Sequence, residues 1–107
     1  MQAGGMDIAR KLSRRLHKRL GSELRELRLF GSRAKGTFGP GSDYDILVVL
    51  RRRTPALLDI IYDEAQAIEL RHGVDISFKV YAEDTFARHQ ELGTPFVKSM
   101  RESSIVL

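Results

Sequence analysis

Ser42-Asp43-Tyr44-Asp45-Ile46-Leu47-Val48-Val49-Leu50 is an apolar run with two carboxylates at its mouth. Its length and β-branching read as a strand buried on both faces. A strand alternates its side chains, so Asp43 and Asp45 point to one side, ~6.5–7 Å apart at Cα, and Tyr44 points to the other, into packing. Two like charges there repel, and burying either alone is costly. A cation between them relieves both penalties. Asp75, in Val74-Asp75-Ile76, is a third acid in an apolar setting. If its strand neighbours the first, three carboxylates converge. Singly, Asp43 reads equally as a turn residue after Ser42, and Asp75 as half of a salt bridge. Together, as oxygen-only donors, they point to Mg²⁺ or Mn²⁺. Three carboxylates with a triphosphate fit a two-metal site for in-line attack at phosphorus.

Upstream, Leu27 and Leu29 alternate with Arg28 and run into Phe30-Gly31-Ser32-Arg33-Ala34-Lys35-Gly36. Gly31 lets backbone approach a ligand closely. The opening turn of a short helix, with the Ser32 hydroxyl, suits phosphate oxygens, and Arg33 and Lys35 add cations. Residues 37–42 form a loop by composition. Further out, Ile8, Leu12, Leu16 and Leu20 recur every four residues among arginines and lysines, an amphipathic helix from Met6 that ends at Gly21. Its basic face is expected to be solvated. Thr54-Pro55 starts a second helix, with Leu57, Leu58, Ile61, Ala65 and Ile68 on its apolar face and a stop near Gly73. Val74 to Tyr81 alternates as a strand with one wet face carrying Asp75, Ser77 and Lys79. Helices over 83–91 and 96–102 and a strand stub over 105–107 complete the order. The fold class is α/β (α+β): a mixed β-sheet flanked by helices.

Residues 1–107 make one domain, with 1–5 expected to be loose. The composition is that of an ordered globular protein, with 42% hydrophobic and 30% charged residues. No cysteine is present, which excludes disulfides and thiolate metal sites. No apolar run reaches the ~18 residues of a membrane span, and no secretory signal is visible, so the expected location is the cytoplasm. Up to Arg53 there are 13 basic and 5 acidic residues, a net +8; beyond it there are 5 and 9, a net −4. The cationic half favours a polyanionic partner. Aromatics at 7% and no tryptophan argue against a base-stacking nucleic-acid platform. His17, His72 and His89 fit no metal spacing.

Phe30-Gly31-Ser32-Arg33-Ala34-Lys35-Gly36 followed by Ser42-Asp43-Tyr44-Asp45-Ile46 resembles the signature of the DNA polymerase β-like nucleotidyltransferase superfamily. The small size resembles its minimal nucleotidyltransferase (MNT) branch. The resemblance implies the polymerase β palm-like fold. It implies that Gly31 and Ser32, with Arg33, Lys35 and Ser42, hold a nucleoside triphosphate. Asp43, Asp45 and Asp75 would ligate two Mg²⁺ (or Mn²⁺) ions, and Asp75 would orient or deprotonate the attacking hydroxyl. Lys35 departs from the arginine common in the branch, keeping the charge but losing bidentate phosphate geometry. The implied reaction moves AMP from ATP to a hydroxyl, and by family analogy the acceptor is a tyrosine of a HEPN-type partner, the chain acting as an MNT antitoxin. A dimer mate or partner protein would complete the acceptor site. Two other readings compete: a non-catalytic antitoxin that masks such a partner, and a basic nucleic-acid-binding module.

Overall fold

The four-residue apolar spacing near the N-terminus becomes α1 (Gly5–Leu20), whose Ala9, Leu12, Leu16 and Leu20 are buried while Arg10, Arg14 and Lys18 face water. The computed structural model describes residues 5–36, 39 and 43–107. A 3₁₀ turn over Gly21–Glu23 leads into β1 (Leu24–Phe30), then α2 (Gly31–Lys35) and β2 (Tyr44–Leu50). Helix α3 (Pro55–His72) starts as expected, with Pro55 in its first turn and the Thr54 hydroxyl accepting from the Leu57 N–H at 3.3 Å. It stops at Gly73, which takes the left-handed conformation at φ 65°. The chain continues through β3 (Ile76–Ala82), α4 (Glu83–Leu92), α5 (Pro95–Ser103) and β4 (Ile105–Val106).

The strands form one mixed sheet in the order β3-β2-β1-β4. β1 is antiparallel to β2 and to β4, while β2 and β3, joined through α3, run parallel. β2 is buried on both faces. Tyr44, Ile46, Val48 and Leu50 join the core under α1 and α3, and Leu47 and Val49 join Phe86, Val97 and Met100 under α4 and α5. This is the fold class that the alternation and helix spacings imply. β3 begins at Ile76 rather than Val74, because the first ladder bond is the Tyr44 N–H to the Asp75 carbonyl. No helix among the described residues is long and apolar enough to cross a membrane.

The basic face of α1 is less solvated than expected. Arg15 and Arg19 both hold Glu64 of α3, a carboxylate only 5% exposed, and Arg19 also meets Asp63 at 2.9 Å. The cationic first half and the anionic second half thus meet along the α1–α3 seam.

Candidate active site

Asp43 precedes β2 and Asp45 is its second residue. Alternation turns both toward the face of Leu47 and Val49, opposite Tyr44, which is buried as expected at 3% exposure. The parallel register aligns Tyr44 with Ile76 and Asp45 with Ser77. Paired residues of parallel strands share a face, so Ser77 stands on the aspartate side. Asp75, one residue ahead of β3, follows the same parity, level with Asp43. The Ser77 hydroxyl donates to Asp43 Oδ2 at 3.2 Å. From the other flank, β1 places Phe30 opposite Asp45 and runs directly into Gly31.

Gly31 and Asp45 are in intimate contact. A Cβ on Gly31 would lie 2.2 Å from Asp45 Oδ2 and 3.1 Å from its Cγ, and Gly31 has φ +74°. Only glycine admits both the carboxylate and the backbone conformation. Burial, and then the neighbouring charge of Asp43, push the Asp45 carboxyl above the usual range. Among the described residues, no ion pair involves Asp43, Asp45 or Asp75. A partly desolvated carboxylate beside a like charge, with no cation of its own, fits a divalent metal. The described residues do not by themselves gather three or more His, Asp or Glu side chains into a metal-holding group. Mg²⁺ ordinarily needs only one or two carboxylates, with water and phosphate completing its shell.

The expected phosphate-binding residues separate. Gly31 and half-buried Ser32 open α2 at the end of β1, next to Asp45. Arg33 places its guanidinium 3.9 Å from the centre of the Tyr44 ring, which projects from the sheet face opposite the aspartates. Lys35 is exposed at the end of α2. Ser42 lies outside the described residues. Two features of the site were missed by sequence reasoning. One is Ser77, whose signal is its place two residues after Asp75 on the wet side of an alternating strand. The other is a wall in which Phe96 of α5 meets Phe30 edge-on at 5.5 Å and lies 6.0 Å from Lys79 Nζ.

No curated protein matches the chain. Among solved structures it is similar to a toxin–antitoxin crystallised with AMP-PNP, at 17% identity over 90% of this chain and 69% of that one, with a TM-score of 0.57. It is also similar to the toxin–antitoxin MntA–HpeT carrying a tyrosine-to-alanine mutation, at 18% identity over 99% of this chain and 72% of that one, with a TM-score of 0.56. At such identities the likeness is one of fold, and it agrees with the mixed sheet described above. The nucleotidyltransferase domain model matches residues 9–106, spanning both the Gly31-Ser32 turn and all three aspartates, so the chain belongs to the nucleotidyltransferase domain family.

Proposed function

We propose that this chain is a Mg²⁺-dependent nucleotidyltransferase that moves AMP from ATP to a hydroxyl of a partner protein, a tyrosine of a HEPN-type toxin, and acts as the antitoxin through that modification in the cytoplasm. The observation that carries it is the Asp45 carboxylate lodged against Gly31, with Asp43 on the same face and Ser77 bonded to it. The toxin–antitoxin neighbours, one crystallised with AMP-PNP, support an adenine nucleotide and a protein partner.

In this reading Gly31 and Ser32 bind the triphosphate and Lys35 and Ser42 complete the anion side, which Arg33 would join by leaving the Tyr44 ring. Asp43 and Asp45 would hold the two metal ions, with Asp75 as the third ligand. Bound there, the ions supply charge neutralisation for the triphosphate. Asp75 orients the acceptor hydroxyl and takes its proton. The acceptor oxygen bonds the α-phosphorus, the bond from that phosphorus to the bridging oxygen breaks, and pyrophosphate departs. The Phe30–Phe96 wall keeps water from one side of this chemistry.

The test is incubation with α-labelled ATP, Mg²⁺ and the protein encoded beside it. Label should move to that protein, and Asp45→Asn should reduce transfer by about 10³-fold or more, as expected when charge stabilisation of the transition state is lost. Undiminished transfer in Asp45→Asn, or none with any divalent metal, overturns the reading. Neutralisation of the partner by Asp45→Asn would instead mark the chain as a masking antitoxin.

A further inference from the structure

β3 is an outer strand of the sheet, and the register shows which of its groups face the open edge. The Tyr44 N–H donates to the Asp75 carbonyl at 2.9 Å, and Tyr44 pairs with Ile76. The backbone groups of Asp75, Ser77, Lys79 and Tyr81 therefore turn toward β2, and those of Ile76, Phe78 and Val80 turn outward. Two outward groups are satisfied by side chains. The Glu69 carboxylate accepts from the Ile76 N–H at 2.9 Å, and Arg53 Nε donates to the Val80 carbonyl at 3.3 Å. Between these two stoppers, four groups have no hydrogen-bond partner among the described residues: the Ile76 carbonyl, the Phe78 N–H and carbonyl, and the Val80 N–H.

These four are what a short parallel strand requires. In a parallel ladder, one residue of the added strand gives its N–H to a carbonyl and accepts the N–H two residues further along its neighbour. A first partner residue satisfies the Ile76 carbonyl and the Phe78 N–H. The residue two positions later satisfies the Phe78 carbonyl and the Val80 N–H. An antiparallel strand would leave its own groups facing the two already taken by Glu69 and Arg53.

The same register places the partner's side chains. Its first residue stands level with Ser77 on the aspartate face, and its third stands level with Lys79. Its middle residue stands level with Phe78 and projects over the α3 side, above a groove of about 440 Å³ lined by Asp59, Tyr62, Asp63, Glu69 and Phe78 among others. Asp63 is paired with Arg19 and Glu69 with the Ile76 N–H, whereas exposed Asp59 has no ion pair among the described residues. Tyr62 and Phe78 meet edge-on at 5.8 Å, an apolar floor for the stem of a long cationic side chain.

We propose that the outer edge of β3 docks an extended segment of a partner protein as a parallel fifth strand, with lysine or arginine at its middle position. A second copy of this chain does not fit, because a two-fold axis pairs identical strands antiparallel and would set two acidic grooves together. Resting on the nucleotidyl-transfer reading, the residue before that cation is the acceptor: a serine, threonine or tyrosine there stands on the face of Asp75 and Ser77.

The probe is a blocked octapeptide, Thr-Val-Thr-Tyr-Lys-Thr-Val-Thr, added to the full chain without nucleotide or metal and followed by amide hydrogen exchange. The Phe78 and Val80 amides should slow, while those of Ser77 and Lys79, already facing β2, should not. Glutamate in place of the peptide lysine should weaken binding about five-fold, and Asp59→Lys, at an exposed position, should reverse that preference. Phe78 and Val80 amides exchanging at the free rate in millimolar peptide, or lysine and glutamate peptides binding alike, overturns the proposal. Asp45→Asn should bind the peptide as the unaltered chain does. In a separate incubation with ATP, Mg²⁺ and the protein encoded beside this chain, peptide protection without AMP transfer to that protein sinks the enzymatic reading alone, and transfer without peptide protection sinks the docking alone.

Discussion

Gly31 and Asp45 keep their places only because one of them has no side chain. In Gly31→Ala the new methyl would meet Asp45 Oδ2 at 2.2 Å, at a φ of +74° that disfavours alanine. The backbone strain costs about 1–2 kcal/mol, and the carboxylate must move away from its present position. If Asp45 acts as proposed, a shift of ~1 Å there costs about 100-fold in rate, so nucleotidyl transfer should fall by at least that much, more than the loss of stability explains. Gly21→Ala separates the two effects. Gly21 also has a positive φ, 55°, but nothing lies within 4 Å of its added Cβ, and it stands before β1, at the far end of that strand from Gly31. Thermal melts should show comparable losses in both variants, while transfer should collapse only in Gly31→Ala; equal activity in the two would refute this. The Asp43–Asp45 pair was legible in the sequence because a spacing of two is a local property of a strand. The Ser77–Asp43 bond was not, because it depends on the register of strands separated by all of α3. The stacking of Arg33 on Tyr44 was equally hidden, since tertiary packing decides where a side chain on so short a helix points.

Elements were legible wherever one periodicity dominated. The four-residue spacing of α1 and the alternation of β3 arise from burying a single face, and the Thr54-Pro55 start of α3 from capping its first turn. Strand order and direction are not written in any one segment, and neither was the pairing of Arg15 and Arg19 with α3. Glu64 falls among Ile61, Ala65 and Ile68 on the buried side of α3, and there it takes hydrogen bonds from Arg19 and Arg15. Those bonds, Arg19 first and Arg15 second, hold the Glu64 carboxyl below its usual range against the opposing effect of burial. A carboxyl lowered in the folded state contributes stability that is fully present above its unfolded value, ~4.3. That stability is lost as pH falls through the lower folded value. Glu64→Gln should therefore cost about 2 kcal/mol near neutrality, the scale of charge-assisted hydrogen bonds. Denaturant titrations across pH should find the gap to the unaltered chain constant above pH ~5 and closing in acid. A gap independent of pH would mean that packing, not charge, sets the contribution of Glu64.

At the scale of the molecule the sheet is covered unequally. The side under α1 and α3 buries Leu12, Leu16, Ile46, Val48, Leu50, Ile61 and Ile68 almost completely. The side under α4 and α5 has a smaller buried set, Leu47, Val49, Phe86, Val97 and Met100, with Phe30, Tyr81 and Phe96 packed partly buried around it. Fewer buried apolar contacts mean a lower free energy of local opening. The candidate active site lies on this thinner side, because alternation along β2 puts Asp45 in line with Leu47 and Val49. The cover that walls the site is therefore also the part of the fold that opens most readily. Edge-on contact between Phe96 and Phe30 ties α5 to the strand that delivers Gly31, so release of α5 would uncover the Gly31–Asp45 contact while the other layer stays closed. Native-state hydrogen exchange at increasing denaturant should resolve two groups of amides. Those of α4 and α5 should exchange through an opening of lower free energy and shallower denaturant dependence, and those of α1, β1, β2 and α3 only through global unfolding. Val97→Ala should lower the first free energy and leave local openings in the second group unchanged. Amides of α5 exchanging together with those of α1 at every denaturant concentration would show one cooperative unit, and the site would then need another way to admit its acceptor.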